Sequence, residues 1–203
     1  MLRQICLVMT LVLLMVAGIQ ASDQNSGLIL GGSFNAPIRI EVFSDFECPG
    51  CRLFYRELML PTLQDYASKD KVCVIYHEFP LNQHKFANNA ARYCEAAYKI
   101  GRNQALKVID ALFSNQTKWA EDGKIEAVLV QALSKKDFSQ LKSNLKDPSI
   151  DQSILQGIKL GKESGVHGTP TIFVYYLGKM QKVENPQQMS YPTLKNFFNQ
   201  IVK

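Results

Sequence analysis

The chain has 203 residues, 46% of them hydrophobic and 20% charged, a composition that suits a protein with a buried core and excludes a largely disordered chain. The formal net charge is +5, from 23 Lys and Arg residues against 18 Asp and Glu residues. The basic residues are scattered along the chain, so we predict no nucleic-acid partner, which would need a clustered basic surface.

The first 21 residues have the layout of a secretory signal peptide. Arg3 supplies a short basic start, an apolar stretch covers 5–16, and small residues follow up to Ala21. The apolar stretch is shorter than the roughly 18 to 20 residues that a membrane-spanning helix prefers. We predict a periplasmic or other extracytoplasmic location, with cleavage after Ala21 or, alternatively, after Gly18. Retention of this segment as an N-terminal membrane anchor is the other interpretation.

The segment that follows leads into the first predicted strands. Residues 22–35 are polar and rich in glycine at both ends, which predicts a flexible lead-in with a short strand at Leu28 to Leu30. The folded domain is predicted to start near Ala36. Alternating patterns rich in Ile, Val and Phe predict strands over 38–43 and 71–79, and apolar residues at helical spacing predict a helix between them.

The second half of the chain is mostly helical in pattern. Apolar residues recur every three or four positions from 85 to 165, which predicts an inserted helical domain. We assign these apolar faces to the core rather than to a dimer interface and therefore predict a monomer. After Pro170 the pattern predicts two strands that turn near 177–178, and a closing amphipathic helix over 190–203. This order predicts an α/β fold with a mixed central sheet, in which the hairpin supplies an antiparallel edge.

Two cysteines, Cys48 and Cys51, stand two residues apart at the start of the first predicted helix, separated by the dipeptide Pro49-Gly50. If the helix begins at Pro49, Cys48 occupies the N-cap position and faces the free N–H groups of the first turn. Those donors and the helix dipole stabilise a thiolate, so the pKa of Cys48 is expected to be low. Cys51, one turn further on, is predicted to be more buried and to resolve the mixed disulfide formed at Cys48.

Other interpretations of this pair are open from the residues alone. A purely structural disulfide would close too small a loop to stabilise the fold much. A zinc site would need two further ligands, and His77, His84 and His167 are single and widely separated. A thiol-based copper-binding module is the third alternative. We predict a redox pair, with no metal and no cofactor.

The sequence does not determine how three ionisable residues near the pair affect the pKa of Cys48. Asp45 and Glu47 precede Cys48, and a carboxylate close to the sulfur would oppose the thiolate. His167 stands two residues before Thr169 and is either a neighbour of the site or a surface histidine.

Three motifs resemble those of the DsbA-like thioredoxin-fold oxidoreductases of bacterial cell envelopes. They are FSDFECPGC at 43–51, YHEFPL at 76–81 and GVHGTPTIFV at 165–174. Their types and their order both match, which is far more specific than a C-x-x-C pair alone. The resemblance covers the chain from about Ala36 to the C-terminus.

The resemblance implies a thioredoxin-like core, formed by 36–84 and 166–203 and interrupted by the helical insertion at 85–165. It also implies that Pro170 is a cis-proline, preceded by Thr169, in a substrate-binding loop that faces the active-site cysteines. Such a loop offers backbone groups to an extended substrate chain, a mode of recognition that tolerates many partners.

The resemblance further implies a thiol–disulfide oxidoreductase. The first interpretation is a dithiol oxidase that passes the Cys48–Cys51 disulfide to reduced or misoxidised exported proteins and is reoxidised by a membrane-bound partner. A reductase or isomerase is the alternative, to which Thr169 before the proline gives weight; a non-catalytic metal- or partner-binding module is the alternative from another class. Strong oxidants of the family often carry a His between the cysteines, and Pro49-Gly50 supplies none, so the direction of exchange stays open.

The remaining cysteines of the predicted mature chain are Cys73, in a predicted strand, and Cys94, in the first inserted helix. A disulfide between them would stabilise the fold by roughly 3 kcal/mol. The alternative is two buried thiols that act as small apolar side chains. The sequence leaves both open, because a disulfide requires the two Cα atoms within about 7 Å of each other.

Overall fold

The computed structural model describes residues 27–183 and 186–202. The predicted signal peptide and the first part of the predicted lead-in, residues 22–26, lie outside this part of the chain. At its centre is a mixed five-stranded sheet of order β1-β3-β2-β4-β5, in which β2 and β3 are parallel and all other neighbours are antiparallel. The strands are β1 (Leu28–Gly31), β2 (Ile38–Ser44), β3 (Val72–Glu78), β4 (Thr171–Tyr176) and β5 (Lys179–Lys182).

A helical run connects the two parallel strands, because parallel neighbours require a crossover. It consists of α1 (Pro49–Phe54), a π-helical segment (Tyr55–Met59), α2 (Leu60–Asp65) and a 3-10 turn (Ala67–Lys69). The register of β2 and β3 pairs Ser44 with Glu78, so both strands end at the same edge of the sheet. The Cys48–Cys51 segment directly follows β2 at that edge.

Six helices lie between β3 and β4 in this part of the chain, and another closes it. They are α3 (Ala87–Tyr98), α4 (Arg102–Ser114), α5 (Gln116–Asp122), α6 (Ile125–Ala132), α7 (Lys135–Asn144), α8 (Ser149–Glu163) and α9 (Tyr191–Ile201). Helix α8 packs very closely on the end of β3. A Cβ atom at Gly157 would lie 2.7 Å from the Glu78 carbonyl oxygen, so only glycine permits this approach.

Both faces of the central strands are covered, which is the usual state of parallel strands and explains why β3 is buried at every position. A small apolar cluster lies on the face of Phe43. Its ring makes edge-to-face contacts with Phe79 and Phe173, at centroid distances of 6.1 and 5.9 Å. The end of β2, which leads to the cysteines, is therefore held in place by aromatic packing around Phe43.

The predicted fold class is confirmed: the chain has a thioredoxin-like α/β fold with a mixed sheet and several helices. The sheet nevertheless begins earlier than Ala36. Strand β1 pairs with β3, and Leu28 and Leu30 are buried, so this part of the predicted lead-in is an ordered sheet edge. Polar and glycine residues flank this strand of four residues, so the sequence shows little alternating pattern there. Within the residues that the structure describes, no helix is long and apolar enough to cross a membrane.

Candidate active site

Cys48 lies at the N-cap of α1, and Pro49 opens the helix. The backbone of Cys48 is extended, with φ −71° and ψ 119°. Its carbonyl oxygen accepts the first intrahelical hydrogen bond from Arg52 N at 3.2 Å. Proline suits this position, because its fixed φ is helical and its missing N–H would have had no helical partner. The sulfur of Cys48 is thereby presented to the positive end of a helix.

The pKa of the Cys48 thiol is lowered to about 6. The largest cause is a hydrogen bond from the Cys51 thiol, which favours the Cys48 thiolate. The Thr169 side chain and the backbone N–H groups of Cys51 and Gly50 lower the pKa further, while burial of the sulfur opposes them. At neutral pH the Cys48 sulfur is therefore mostly a thiolate.

Cys51 behaves in the opposite way. Only 1% of its surface is exposed, and its sulfur accepts a weak hydrogen bond from Asp45 N at 3.5 Å. Burial, followed by the hydrogen bond to Cys48 and the negative charge there, raises the pKa of Cys51 well above its usual value. The structure holds both residues as free thiols. The pair is thus strongly asymmetric, with a thiolate at Cys48 and a protonated thiol at Cys51.

The loop before β4 lies directly against the pair. The Thr169–Pro170 peptide bond is cis. The Cys48 sulfur lies 3.2 Å from the Thr169 carbonyl oxygen, to which it donates when it is protonated. The loop reaches this position because β4 is antiparallel to β2 and its first residue, Thr171, pairs with Phe43 near the end of β2. Two motifs far apart in sequence therefore meet at one edge of the sheet.

Comparison with known proteins identifies the family. A family model described as thioredoxin matches residues 24–190. The chain belongs to the DsbA-like thioredoxin family. It is 26% identical over 147 residues to a probable disulfide bond formation protein D of Bacillus cereus, an alignment that covers 70% of this chain and 68% of that relative. The equivalent protein of Bacillus anthracis is also 26% identical, with 70% and 67% covered.

Solved structures show the same fold. Oxidised BdbD from Bacillus subtilis has a TM-score of 0.69 at 20% identity, covering 87% of this chain and 93% of that one. Pseudomonas aeruginosa DsbA2 has a TM-score of 0.63 at 24% identity, covering 88% and 93%. The predicted family is confirmed, and this DsbA-like protein is accordingly a thiol–disulfide oxidoreductase, which argues against the non-catalytic module.

The two carboxylates before Cys48 bind donors in the segment that follows β3. Asp45 accepts from Leu81 N at 2.7 Å and lies 2.8 Å from His84 Nδ1. Glu47 accepts from Phe86 N. Neither carboxylate is among the groups that shift the pKa of Cys48. These contacts attach the active-site loop to the segment that follows β3. Both carboxylates face hydrogen-bond donors of that segment and not the Cys48 sulfur.

His167 does not contribute to the pair. It is exposed, and the groups described as contacting the Cys48 sulfur or shifting its pKa are those of Gly50, Cys51 and Thr169. In the part of the chain that the structure describes, no group of three or more His, Cys, Asp or Glu side chains could hold a metal ion.

Cys73 and Cys94 have different surroundings. Cys94 lies in the main core with alternate residues of β3, among them Tyr76, and contacts the Glu78 carboxyl. Side chains alternate between the two faces of a strand, so Cys73 lies on the opposite face of β3, together with His77. The His77 ring stacks on Phe43 on that face. Both are buried free thiols in the structure. This arrangement favours two separate thiols over the disulfide that the sequence left open.

Sequence reasoning missed one residue at the site. Gln116, the first residue of α5, is 4% exposed and points into the active-site loop. Its Nε2 donates to the Phe46 carbonyl oxygen at 2.6 Å and to the Cys48 carbonyl oxygen at 3.0 Å. Nothing in the local pattern around Gln116 distinguishes it from an ordinary polar residue at a helix start.

Proposed function

We propose that this oxidoreductase is an exported dithiol oxidase, which passes a Cys48–Cys51 disulfide to reduced or misoxidised exported proteins. The observation that carries the proposal is the low pKa of Cys48, about 6, next to the raised pKa of Cys51. A thiolate held in this way stabilises the dithiol form of the pair. Stabilising the dithiol form makes the disulfide form a stronger oxidant.

The exchange proceeds in two displacements, with two electrons moving from substrate to enzyme. First, a substrate thiolate attacks the Cys48 sulfur of the disulfide, and Cys51 leaves and takes up a proton, as its raised pKa favours. Second, another substrate thiolate attacks the substrate sulfur of this mixed disulfide, and Cys48 leaves as a thiolate. The substrate gains a disulfide, and the enzyme is left with one thiolate and one thiol. Cys48 is a good leaving group because its pKa is low.

The loop at Thr169 and Pro170 is proposed to hold the substrate during this exchange. The Thr169 carbonyl oxygen lies 3.2 Å from the Cys48 sulfur, so an extended chain that pairs with this loop would bring its own cysteine to the reactive atom. Backbone pairing does not depend on side-chain identity, which suits an enzyme with many substrates. A half-exposed apolar side chain on α1, Leu53, offers further contact area beside the pair.

Names of relatives support the oxidising direction, since the curated proteins are described as disulfide bond formation proteins. We propose further that the mature protein is a monomer in an extracytoplasmic compartment and that a membrane-bound partner restores its disulfide. Regeneration requires an acceptor for the two electrons collected from each substrate.

Oxidation of a reduced, unfolded protein by the pre-oxidised enzyme tests the proposal. Wild type should introduce disulfides stoichiometrically, and Cys48→Ser should not. Cys73→Ser is the matched control, because it removes another buried thiol on the opposite face from Cys94 and should leave the rate unchanged. If Cys48→Ser oxidised the substrate at the wild-type rate, the proposed mechanism would be wrong.

A reductase or isomerase is the second candidate, favoured by the absence of a histidine between the cysteines and by Thr169 before the cis-proline. The equilibrium of the pair with glutathione discriminates between the oxidase and the reductase. A potential close to that of thioredoxin, about −270 mV, would favour the reductase, and a potential well above it favours the oxidase.

A further inference from the structure

Gln116 links the helical region to the active-site loop through a single buried amide. It lies at the start of α5, far in sequence from the cysteines, yet its Nε2 donates to the carbonyl oxygens of Phe46 and Cys48 at 2.6 and 3.0 Å. A glutamine amide has two N–H donors, and both are used here on the same loop. The side chain is 4% exposed, so water competes little for these bonds.

The two carbonyl groups belong to the peptide groups at the two ends of the Glu47–Cys48 segment. The Cys48 carbonyl belongs to the peptide that joins Cys48 to Pro49, and its direction sets ψ of Cys48, which is 119°. Since φ and ψ determine where the Cα–Cβ bond points, a bond to this carbonyl also orients the sulfur. The Phe46 carbonyl belongs to the peptide before Glu47. Holding both prevents the segment from rotating between them.

The position of the sulfur decides how well its charge is stabilised. A hydrogen bond from the Cys51 thiol and the backbone N–H groups of Gly50 and Cys51 at the helix start lower the pKa of the Cys48 sulfur. Such bonds weaken steeply with distance and angle, so a small rotation of the loop would lose part of them. Neither contact involves Gln116 directly.

We infer that Gln116 is a positioning residue for the exchange reaction, whose amide clamps the loop at Phe46 and Cys48 and thereby holds the Cys48 sulfur against its hydrogen-bond donors. The inference rests on the proposed role of Cys48 as the exchanging thiolate. Gln116 touches neither sulfur nor substrate loop in the described hydrogen bonds, so it acts through the backbone alone.

The test is the pH dependence of alkylation of the reduced protein by iodoacetamide, which reads the Cys48 thiolate. Gln116→Met keeps the length of the side chain and removes both donors. The midpoint of the alkylation curve of this variant should lie about one pH unit above that of wild type, because the Cys48 sulfur loses part of its hydrogen bonding. At pH 7 the equilibrium with glutathione should then favour the dithiol form about fivefold less than in wild type.

Trp119→Phe is the matched control. Trp119 lies on the same short helix, is 1% exposed, and donates one side-chain hydrogen bond to a backbone carbonyl, that of Leu112, away from the active-site loop. It should lower the stability to urea without moving the alkylation midpoint. If Gln116→Met lowered the stability but left the midpoint and the glutathione equilibrium at wild-type values, Gln116 would only attach α5 to the core.

A second variant covers the case in which Gln116→Met does not fold. Gln116→Asn keeps the amide and shortens its reach by one methylene, so it cannot hold both carbonyls in place; it should raise the midpoint as well. An unchanged midpoint in Gln116→Asn would also overturn the inference. Failure of the proposed function looks different, because Cys48→Ser would then oxidise a reduced protein at the wild-type rate, whatever the midpoints of the Gln116 variants.

Discussion

The reduction potential of the Cys48–Cys51 pair should change its pH dependence near pH 6. Each proton taken up with the two electrons lowers the potential by about 30 mV per pH unit. Below the pKa of Cys48, about 6, reduction takes up two protons, and above it only one, because Cys48 stays a thiolate while Cys51 is protonated. The slope should therefore fall from about 59 to about 30 mV per pH unit as the pH rises through 6.

The same shift fixes how far the thiolate raises the potential. At pH 7, a pKa of about 6 in place of 9.0 stabilises the dithiol form by at most about 1.4 kcal/mol, with the partial solvent contact of the sulfur reducing this value. For a two-electron couple this corresponds to at most about 30 mV. The thiolate alone therefore accounts for a modest part of the range between reducing and oxidising members of this fold.

Equilibration of the protein in glutathione buffers at a series of pH values measures both quantities, with the dithiol fraction read after acid quenching and alkylation. Cys73→Ser serves as the control, because Cys73 lies on the opposite face of β3 from Tyr76, which is in the same core cluster as Cys48 and Cys51; it should show the same break in slope as wild type. A single slope of about 59 mV per pH unit up to pH 8 would refute the argument, because it would mean that Cys48 is protonated throughout.

Three further predictions concern the fold. The dithiol form should gain stability relative to Cys48→Ser as the pH rises, because the pKa of Cys48 is lowered to about 6 in the folded state. The gain is complete above the unfolded-state pKa of about 8.5 and is lost as the pH falls through 6. Urea unfolding at several pH values measures it. Gly157→Ala should lower the free energy of unfolding by about 1 to 3 kcal/mol, because its Cβ would lie 2.7 Å from the Glu78 carbonyl oxygen; Leu155→Ala, on the exposed side of the same helix, should change it by less than about 0.5 kcal/mol, and equal effects would contradict the packing argument. Finally, the oxidised mature protein, unfolded in denaturant, should yield two free thiols by a colorimetric thiol assay, whereas none would reveal a second disulfide.

Local patterns in the sequence were sufficient to predict the elements that carry the cysteines. Alternating apolar residues predicted β2, and Pro49 predicted where α1 begins, because both depend on neighbours along the chain. The strand at Leu28–Gly31 was predicted only in part, since four residues among glycines give little periodicity. Its place in the sheet depends on pairing with β3, which no local pattern encodes.

Contacts within the site were harder to predict, because they join residues that are distant along the chain. The approach of Thr169 to Cys48 was expected only from the family resemblance, since it requires β4 to lie beside β2. The bonds from Gln116 were not expected at all, because they depend on how α5 packs against the active-site loop. The alternation of β3 predicts which residues share a face with Cys73, but whether Cys94 lies on that face depends on where its helix packs, which no local pattern encodes.

The reduction potential of the Cys48–Cys51 pair at pH 7, measured against glutathione, tests the proposed oxidase most directly. The proposed oxidase requires a potential well above about −270 mV, so that the pair oxidises protein dithiols; the Cys48 thiolate supplies at most about 30 mV of this difference. A value at or below about −270 mV would contradict the account, because the enzyme would then draw disulfides out of its partners instead of donating them.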